Sequence, residues 1–439
     1  MCIRDRFLIK ALQLILSLSI LVVLHELGHF IPAKLFGCRV EKFYLFFDWP
    51  FSLFKKKIGD TEYGIGALPL GGYVKISGII DESFDTDHVK SEPKPWEFRS
   101  KSTLQRLIIL IGGVTVNLIL GFFIYSMVIL VWGKNIIAFE DLNSGFTVSE
   151  SMKKIGFEDG DRILKIDGND LEDQYQISNI LVSRSVDAVE VVRSDESRDI
   201  INIPENIGLE IITAGVAPFV LNRNIVIDSV SVNSPADFSD IKKGDIINKV
   251  NGTKILSFDE FEGLKEINSD YVELELIRNG SEFSTIVPFE SMDKLIGIVI
   301  KSDLNITTKK YGFFESIGQG YDEAYWKLND YVSQFGYVFT KEGASQLGGF
   351  GTIGNIFPAK WDWKRFWEMT AFLSIILAFM NFLPIPALDG GHIMFVLYEM
   401  FSGKKPNDKF LEYAHGAGFI LLISLFLYAN GMDLIRAFS

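Results

Sequence analysis

Between Arg106 and Lys134 the chain runs from Leu107 to Trp132, 26 residues, without one charged side chain. Wound as a helix, that stretch is about 39 Å long, more than the roughly 30 Å of hydrocarbon in a bilayer. A soluble domain has no core thick enough to hide it, so a membrane is expected. Three further apolar stretches read as spans in that setting: Phe7 to Leu27, Thr370 to Leu383 with its flanks, and Ala417 to Met432. The mean hydropathy of +0.21 agrees. The first run carries no small-residue cleavage site and reads as a retained helix. The expected fold class is a polytopic α-helical membrane protein with about four transmembrane helices. A net charge of -13 argues against nucleic acid as a partner, because phosphate contacts need a basic footprint. Two cysteines, Cys2 and Cys38, give no disulfide framework, and Cys38 reads as a small buried apolar residue.

About 230 residues between the second and third spans have ordinary soluble composition, and they contain a repeat. "GFEDGDRILKIDGNDL" (156–171) and "DIKKGDIINKVNGTKI" (240–255) superpose at an offset of 84 residues. In each, a Gly-Asp pair precedes an apolar strand, and then comes an Asp-Gly or Asn-Gly dipeptide that supplies the positive-φ residues of a tight hairpin. Tandem β-rich modules follow from that repetition. They resemble PDZ domains of the bacterial protease type. The second copy matches through "NSPADFSDIKKGDIINKVNG"; the first lacks the Ser-Pro-Ala element. Beyond them Phe314, Ile317, Tyr321, Tyr325, Leu328, Val332, Phe335 and Phe339 recur at spacings of three and four. That is an amphipathic aromatic helix, suited to a membrane surface or to a soluble core.

Charge sets an orientation. Twelve Lys or Arg lie from Lys34 to Arg106, and Lys404, Lys405 and Lys409 follow the third span. Both loops are expected in the cytoplasm, with the repeat region outside. Arg4, Arg6 and Lys10 argue the other way for the N-terminus.

The first apolar run leads into "LSILVVLHELGHFIPAKLFG", with His25, Glu26 and His29 inside it. On a helix, positions i and i+4 share a face. Two imidazoles can therefore hold one zinc while Glu26 stands beside them to take a proton from water. Ionisable groups at membrane depth are costly and usually functional. A catalytic zinc needs a third protein ligand, and "NFLPIPALDGGH" (381–392) offers two, Asp389 and His392. Counting spans brings this segment to the same cytoplasmic-side depth as "HELGH". His88 and His415 sit in polar, loop-like contexts and are expected to be solvated.

Taken together, "HELGH" in a first span, tandem PDZ-like modules after the second and "NFLPIPALDGGH" in the third resemble the site-2 protease family of intramembrane zinc metalloproteases, in its regulator of sigma-E protease branch. The likeness covers nearly the whole chain from about residue 8. It implies zinc held by His25, His29 and Asp389, Glu26 as general base, and Asn381 as a hydrogen-bonding contact to the substrate backbone. "EYGIGALPLGGYVKISG" (62–78) resembles that family's membrane-reentrant β-hairpin, where Gly64, Gly66, Gly71 and Gly72 would let a substrate strand approach closely, with Gly64 and Gly66 as the expected substrate contacts. "LGGFGTIGN" (347–355) and "GGVTVN" (112–117) also resemble family segments, without their prolines. Asn117 in the latter reads equally as a helix-helix hydrogen bond or as a substrate contact.

The resemblance implies an inner-membrane enzyme of bacteria that makes the second cut in regulated intramembrane proteolysis. Its substrates would be single-span membrane proteins, of anti-sigma-factor type or signal-peptide remnants. The expected layout is 7–134 for two spans with the hairpin at 60–80, 143–212 and 222–302 for the periplasmic PDZ-like modules, 310–345 for the amphipathic helix and 346–439 for two more spans. Two other readings stay open: a quality-control metalloprotease at the cytoplasmic face, and a non-catalytic membrane PDZ scaffold.

Overall fold

The computed structural model describes residues 3–79, 92–142, 145–222, 224–255, 261, 270–289, 296–302, 306–340 and 347–438. His88 lies outside them. The chain divides into two compact units, one made of Met1–Gly133 with Lys310–Ser439, the other of Lys134–Lys309.

The first unit is helical. Helix α1 (Ile3–Leu35) is followed by strands β1 (Val40–Ile58) and β2 (Thr61–Ile76), then by α2 (Thr103–Trp132). Ser102 starts α2 with a capping box: its side chain accepts from the Gln105 N–H, and the Gln105 side chain accepts from the Ser102 N–H. The return of the chain supplies α3 (Phe313–Phe335), α4 (Phe350–Asn355), α5 (Trp363–Phe382), α6 (Asp389–Ser402) and α7 (Asp408–Phe438). The uncharged run forms the axis, since α1, α3, α5 and α6 all pack on α2.

Among the described residues three helices are long and apolar enough to cross a membrane: Arg6–Leu35, Thr103–Trp132 and Lys409–Arg436. The expected third span is helical as α5 but is not one of the three, because Lys364, Arg365 and Glu368 occupy its first turns and Leu383 ends it after 20 residues. Along α3 the seam is made of small residues. Ser316, Gly320 and Ala324 are buried, and a Cβ at Gly320 would strike the Ser126 backbone of α2. The aromatic stripe is divided: Phe314, Ile317, Tyr321, Tyr325 and Val332 are exposed, whereas Leu328 packs into the α2–α5 core, the Tyr321 ring also stacks on Phe122 of α2 and the Phe335 ring meets Phe379 of α5.

The sheet departs from the hairpin expected at 60–80. Residues 40–45 of β1 pair with 72–76 of β2, and 52–58 pair with 61–66. Residues 42–45 also lie opposite 62–65. The two halves of "EYGIGALPLGGYVKISG" therefore flank β1 instead of pairing with each other. Breaks near Phe47 and Leu68 in the ladder divide each strand and allow this.

Besides two short ladders, 146–148 with 219–221 and 134–136 with 307–309, the second unit carries, among the described residues, two larger sheets with separate cores. In the first, the strands run in the order 169–170, 162–166, 188–192, 198–202, around Phe146, Phe157, Ile163, Val189 and Val191. In the second the order is 281–288, 271–278, 246–250, 225–230, 298–302, with 253–254 against 246–250, around Ile227, Ile247, Val272, Leu274 and Leu276. The repeat is repeated geometry. Asp167 and Gly168 have φ of 49° and 78°, and so do Asn251 and Gly252, as a two-residue hairpin with both centres left-handed requires. Each Gly-Asp pair is fixed in the same manner: Asp161 accepts from the Glu158 N–H and from Arg193, Asp245 from the Lys242 N–H and from Arg278.

Candidate metal centre

The α1 face predicted from i, i+4 spacing is formed: the Nε2 atoms of His25 and His29 are 3.2 Å apart. Asp389 arrives from far along the chain. Its Oδ2 lies 3.1 Å from His25 Nε2 and 3.3 Å from His29 Nε2. Among the described residues these three form the one group with metal-ligand spacing.

Chain breakage at the end of α5 delivers the carboxylate. Pro384 and Pro386 stop the helix, Ala387 takes a left-handed φ of 89°, and α6 starts on Asp389. The new helix begins so close to the old one that only glycine fits. A Cβ on Gly390 would strike the carbonyls of Phe382 and Leu383, and one on Gly391 the carbonyl of Ile385. From α7, Gly418 lies against the Pro386 carbonyl just as tightly. At the first position of α6, the Asp389 charge also faces the helix's positive end.

The arrangement fits a tetrahedral ion. With ligand bonds of about 2.0–2.1 Å, tetrahedral edges measure about 3.3–3.4 Å, and the three edges here are 3.1, 3.2 and 3.3 Å. Asp389 Oδ2 is buried and makes no hydrogen bond with good geometry despite two imidazole nitrogens beside it. On the far side of its ring, His29 Nδ1 is 2.8 Å from the Ile109 carbonyl. A carbonyl only accepts, so Nδ1 carries a proton, and the neutral ring then has its Nε2 lone pair free to ligate a metal between the three groups.

Helix α2 closes the back of the site through glycine. Gly28 and Gly112 face each other so closely that a Cβ on either would strike the other's carbonyl, and one on Gly113 would strike His29 Nε2 and His25 Cε1. These contacts are invisible to periodicity. The front is a cavity of about 640 Å³ lined by Glu26, Asn381 and the three residues above, with Gly71, Gly72 and Val74 on one wall. Asn381 Nδ2 is 3.4 Å from His25 Nε2.

Two predicted site residues sit elsewhere. Gly64 packs on the Tyr44 ring and Gly66 on the Phe47 backbone, and neither lines the cavity. That part of the segment is an inner strand; the glycines that face the cavity are Gly71 and Gly72. His392, the other candidate ligand, is outside the metal-spaced group. Its ring instead meets that of His415 at 4.5 Å. His415 is not solvated as expected. It belongs to α7 and is buried, at 7% exposure, because the polar "EYAHG" stretch continues the helix instead of forming a loop.

Comparison with known proteins agrees over nearly the full length. The chain is 29% identical to a protein of Borreliella burgdorferi named "Putative zinc metalloprotease", covering 95% of this chain and 96% of that protein. It is 28% identical to the regulator of sigma E protease of Haemophilus influenzae, over 96% and 98%. With the regulator of sigma-E protease RseP of Escherichia coli it shares 27% identity over 99% of both chains. Residues 13–425, from within α1 to the middle of α7 and so including both halves of the metal-spaced group, match peptidase family M50, and the chain belongs to that family.

Proposed function

We propose that the protein is an intramembrane zinc metalloprotease that cleaves single-span membrane proteins, with zinc held by His25, His29 and Asp389. The meeting of two imidazoles and one carboxylate at tetrahedral edge lengths carries this reading. Two nitrogens and an oxygen suit zinc better than the harder divalent ions. Zinc bound there supplies Lewis acidity toward water and a peptide carbonyl. Glu26, next to His25 and on the same cavity, takes the proton of the attacking water and hands it to the leaving amine. Asn381 offers both a donor and an acceptor to an extended substrate backbone. Among the described residues, 72–76 pair on one side only, with β1, and they line the cavity. An unwound transmembrane segment can add to them as a further strand.

The wider setting is part of the same proposal. The chain crosses the inner membrane four times, with α5 as the third span, and the β1–β2 sheet re-enters from the cytoplasmic side. The exposed part of the α3 aromatic stripe contacts lipid. The modules of the second unit are PDZ domains in the periplasm that hold back substrates with large outer domains, so that the enzyme makes a second cut. The substrate in this reading is an anti-sigma factor or a signal-peptide remnant; relatives named regulator of sigma-E protease support a role in sigma-factor regulation.

The test is co-expression with a single-span substrate trimmed of its outer domain, beside the same substrate with that domain and a soluble reporter. Product from the trimmed substrate alone, abolished by Glu26→Gln, is the expected result. Equal product with the Glu26→Gln form refutes catalysis by this site, and cleavage of the soluble reporter points to quality control instead.

A further inference from the structure

His29 has an acceptor behind its ring; the group behind His25 is the side chain of Asn117. On α2, Asn117 is buried at 1% exposure. Its Nδ2 is 3.2 Å from His25 Nδ1, and its Oδ1 is buried without a hydrogen-bond partner. For His25 to present a lone pair at Nε2, its Nδ1 must carry the proton. A proton there needs an acceptor, and the amide offers one only if turned by half a rotation. Amide oxygen and nitrogen have the same shape and are told apart by their partners. With the oxygen toward the ring, each histidine has one backing acceptor from α2: the Ile109 carbonyl for His29, the Asn117 amide for His25.

We infer that Asn117 is a positioning residue that accepts the Nδ1–H of His25 and so fixes the tautomer and ring orientation of that zinc ligand. The inference rests on the zinc reading above. It assigns to Asn117 neither a substrate contact nor a purely helix-packing role. Helix packing at this position has its own hydrogen bond: the Asn117 backbone carbonyl accepts from Ser374 Oγ of α5 at 2.7 Å. Side-chain replacement leaves that bond in place.

The test measures zinc affinity of the purified full chain in detergent by chelator competition, with the absorption spectrum of the Co²⁺-substituted protein as a second readout. Asn117→Leu removes the acceptor, and a loss of about 10–100-fold in affinity with a shifted Co²⁺ spectrum is expected. Asn117→Asp keeps an acceptor but no donor and is expected to restore affinity to the unsubstituted level or above it. Ser374→Ala breaks the α2–α5 bond without touching the amide and is expected to bind zinc unchanged. Wild-type affinity in Asn117→Leu, or an Asn117→Asp form as weak as it, overturns the inference. A loss in Ser374→Ala equal to that in Asn117→Leu also overturns it, since packing then explains the effect. Absence of zinc binding by the unsubstituted chain overturns the metal reading itself, together with this refinement of it.

Discussion

His25 Nε2 and Asp389 Oδ2 lie 3.1 Å apart, although one belongs to α1 and the other to α6, more than 350 residues later. Two imidazoles and a carboxylate held this close on the wall of one cavity make the group a trap for a cation. Removing the carboxylate charge by Asp389→Asn is expected to lower zinc affinity by more than the roughly 10–100-fold that loss of an outer-sphere partner costs. Metal content after dialysis against a graded chelator series checks this.

Gly113→Ala places a methyl group where His29 Nε2 and His25 Cε1 already are. The helix backbone can make room only by opening the Gly28–Gly112 contact between α1 and α2 beside it. Loss of zinc and a lower melting temperature are expected together. Gly431→Ala, with no atom within 4 Å of the added carbon, is the control, and should gain up to about 1 kcal/mol of helix stability.

Arg106 and Glu399 form a buried ion pair at 2.7 Å between α2 and α6, fastening the helix that presents Asp389. Arg106→Met strands the glutamate and is expected to cost about 3–5 kcal/mol, whereas Arg106→Met combined with Glu399→Met recovers most of the loss. Denaturation in mixed micelles of these two forms, of Glu399→Met and of the unsubstituted chain measures the coupling.

The two Gly-Asp turns of the second unit differ in charge balance. Burial pushes the Asp245 carboxyl upward, but Arg278 and the Lys242 N–H outweigh it and hold the value below the ordinary range. A carboxylate depressed in the folded state contributes stability above its unfolded value, about 3.9, and loses it as pH falls through the folded value. In Asp161 burial prevails over the Glu158 N–H and Arg193, and the carboxyl is raised, so its contribution has the opposite sign. Asp245→Asn is therefore expected to destabilise its module at pH 7, by on the order of 2 kcal/mol as for loss of a hydrogen bond to a charged group, and to weaken the loss of stability below pH 4. Asp161→Asn is expected to be nearly neutral. Hydrogen exchange of the two turns against pH distinguishes them.

Much of this organisation is written locally. The spacing of His25 and His29 fixes a shared face because helical geometry depends only on neighbours, and the Asp-Gly and Asn-Gly turns are likewise set by two residues' own backbone preferences. The length of the Leu107–Trp132 run needs nothing but the thickness of a bilayer. What the sequence could not decide depends on which distant atoms touch. Asp389 and His392 stand three residues apart in one motif, and only the docking of α6 on α2 makes the first a neighbour of the histidines and the second a partner of His415. The pairing of 61–66 and 68–76 with β1 instead of each other, and the value of Gly113 as empty space behind two imidazoles, are of the same kind. Helical period and turn chemistry act over a few residues and can be read along the chain; close approach of backbones is a property of the packed helices, and a sequence position carries no record of what will lie against it.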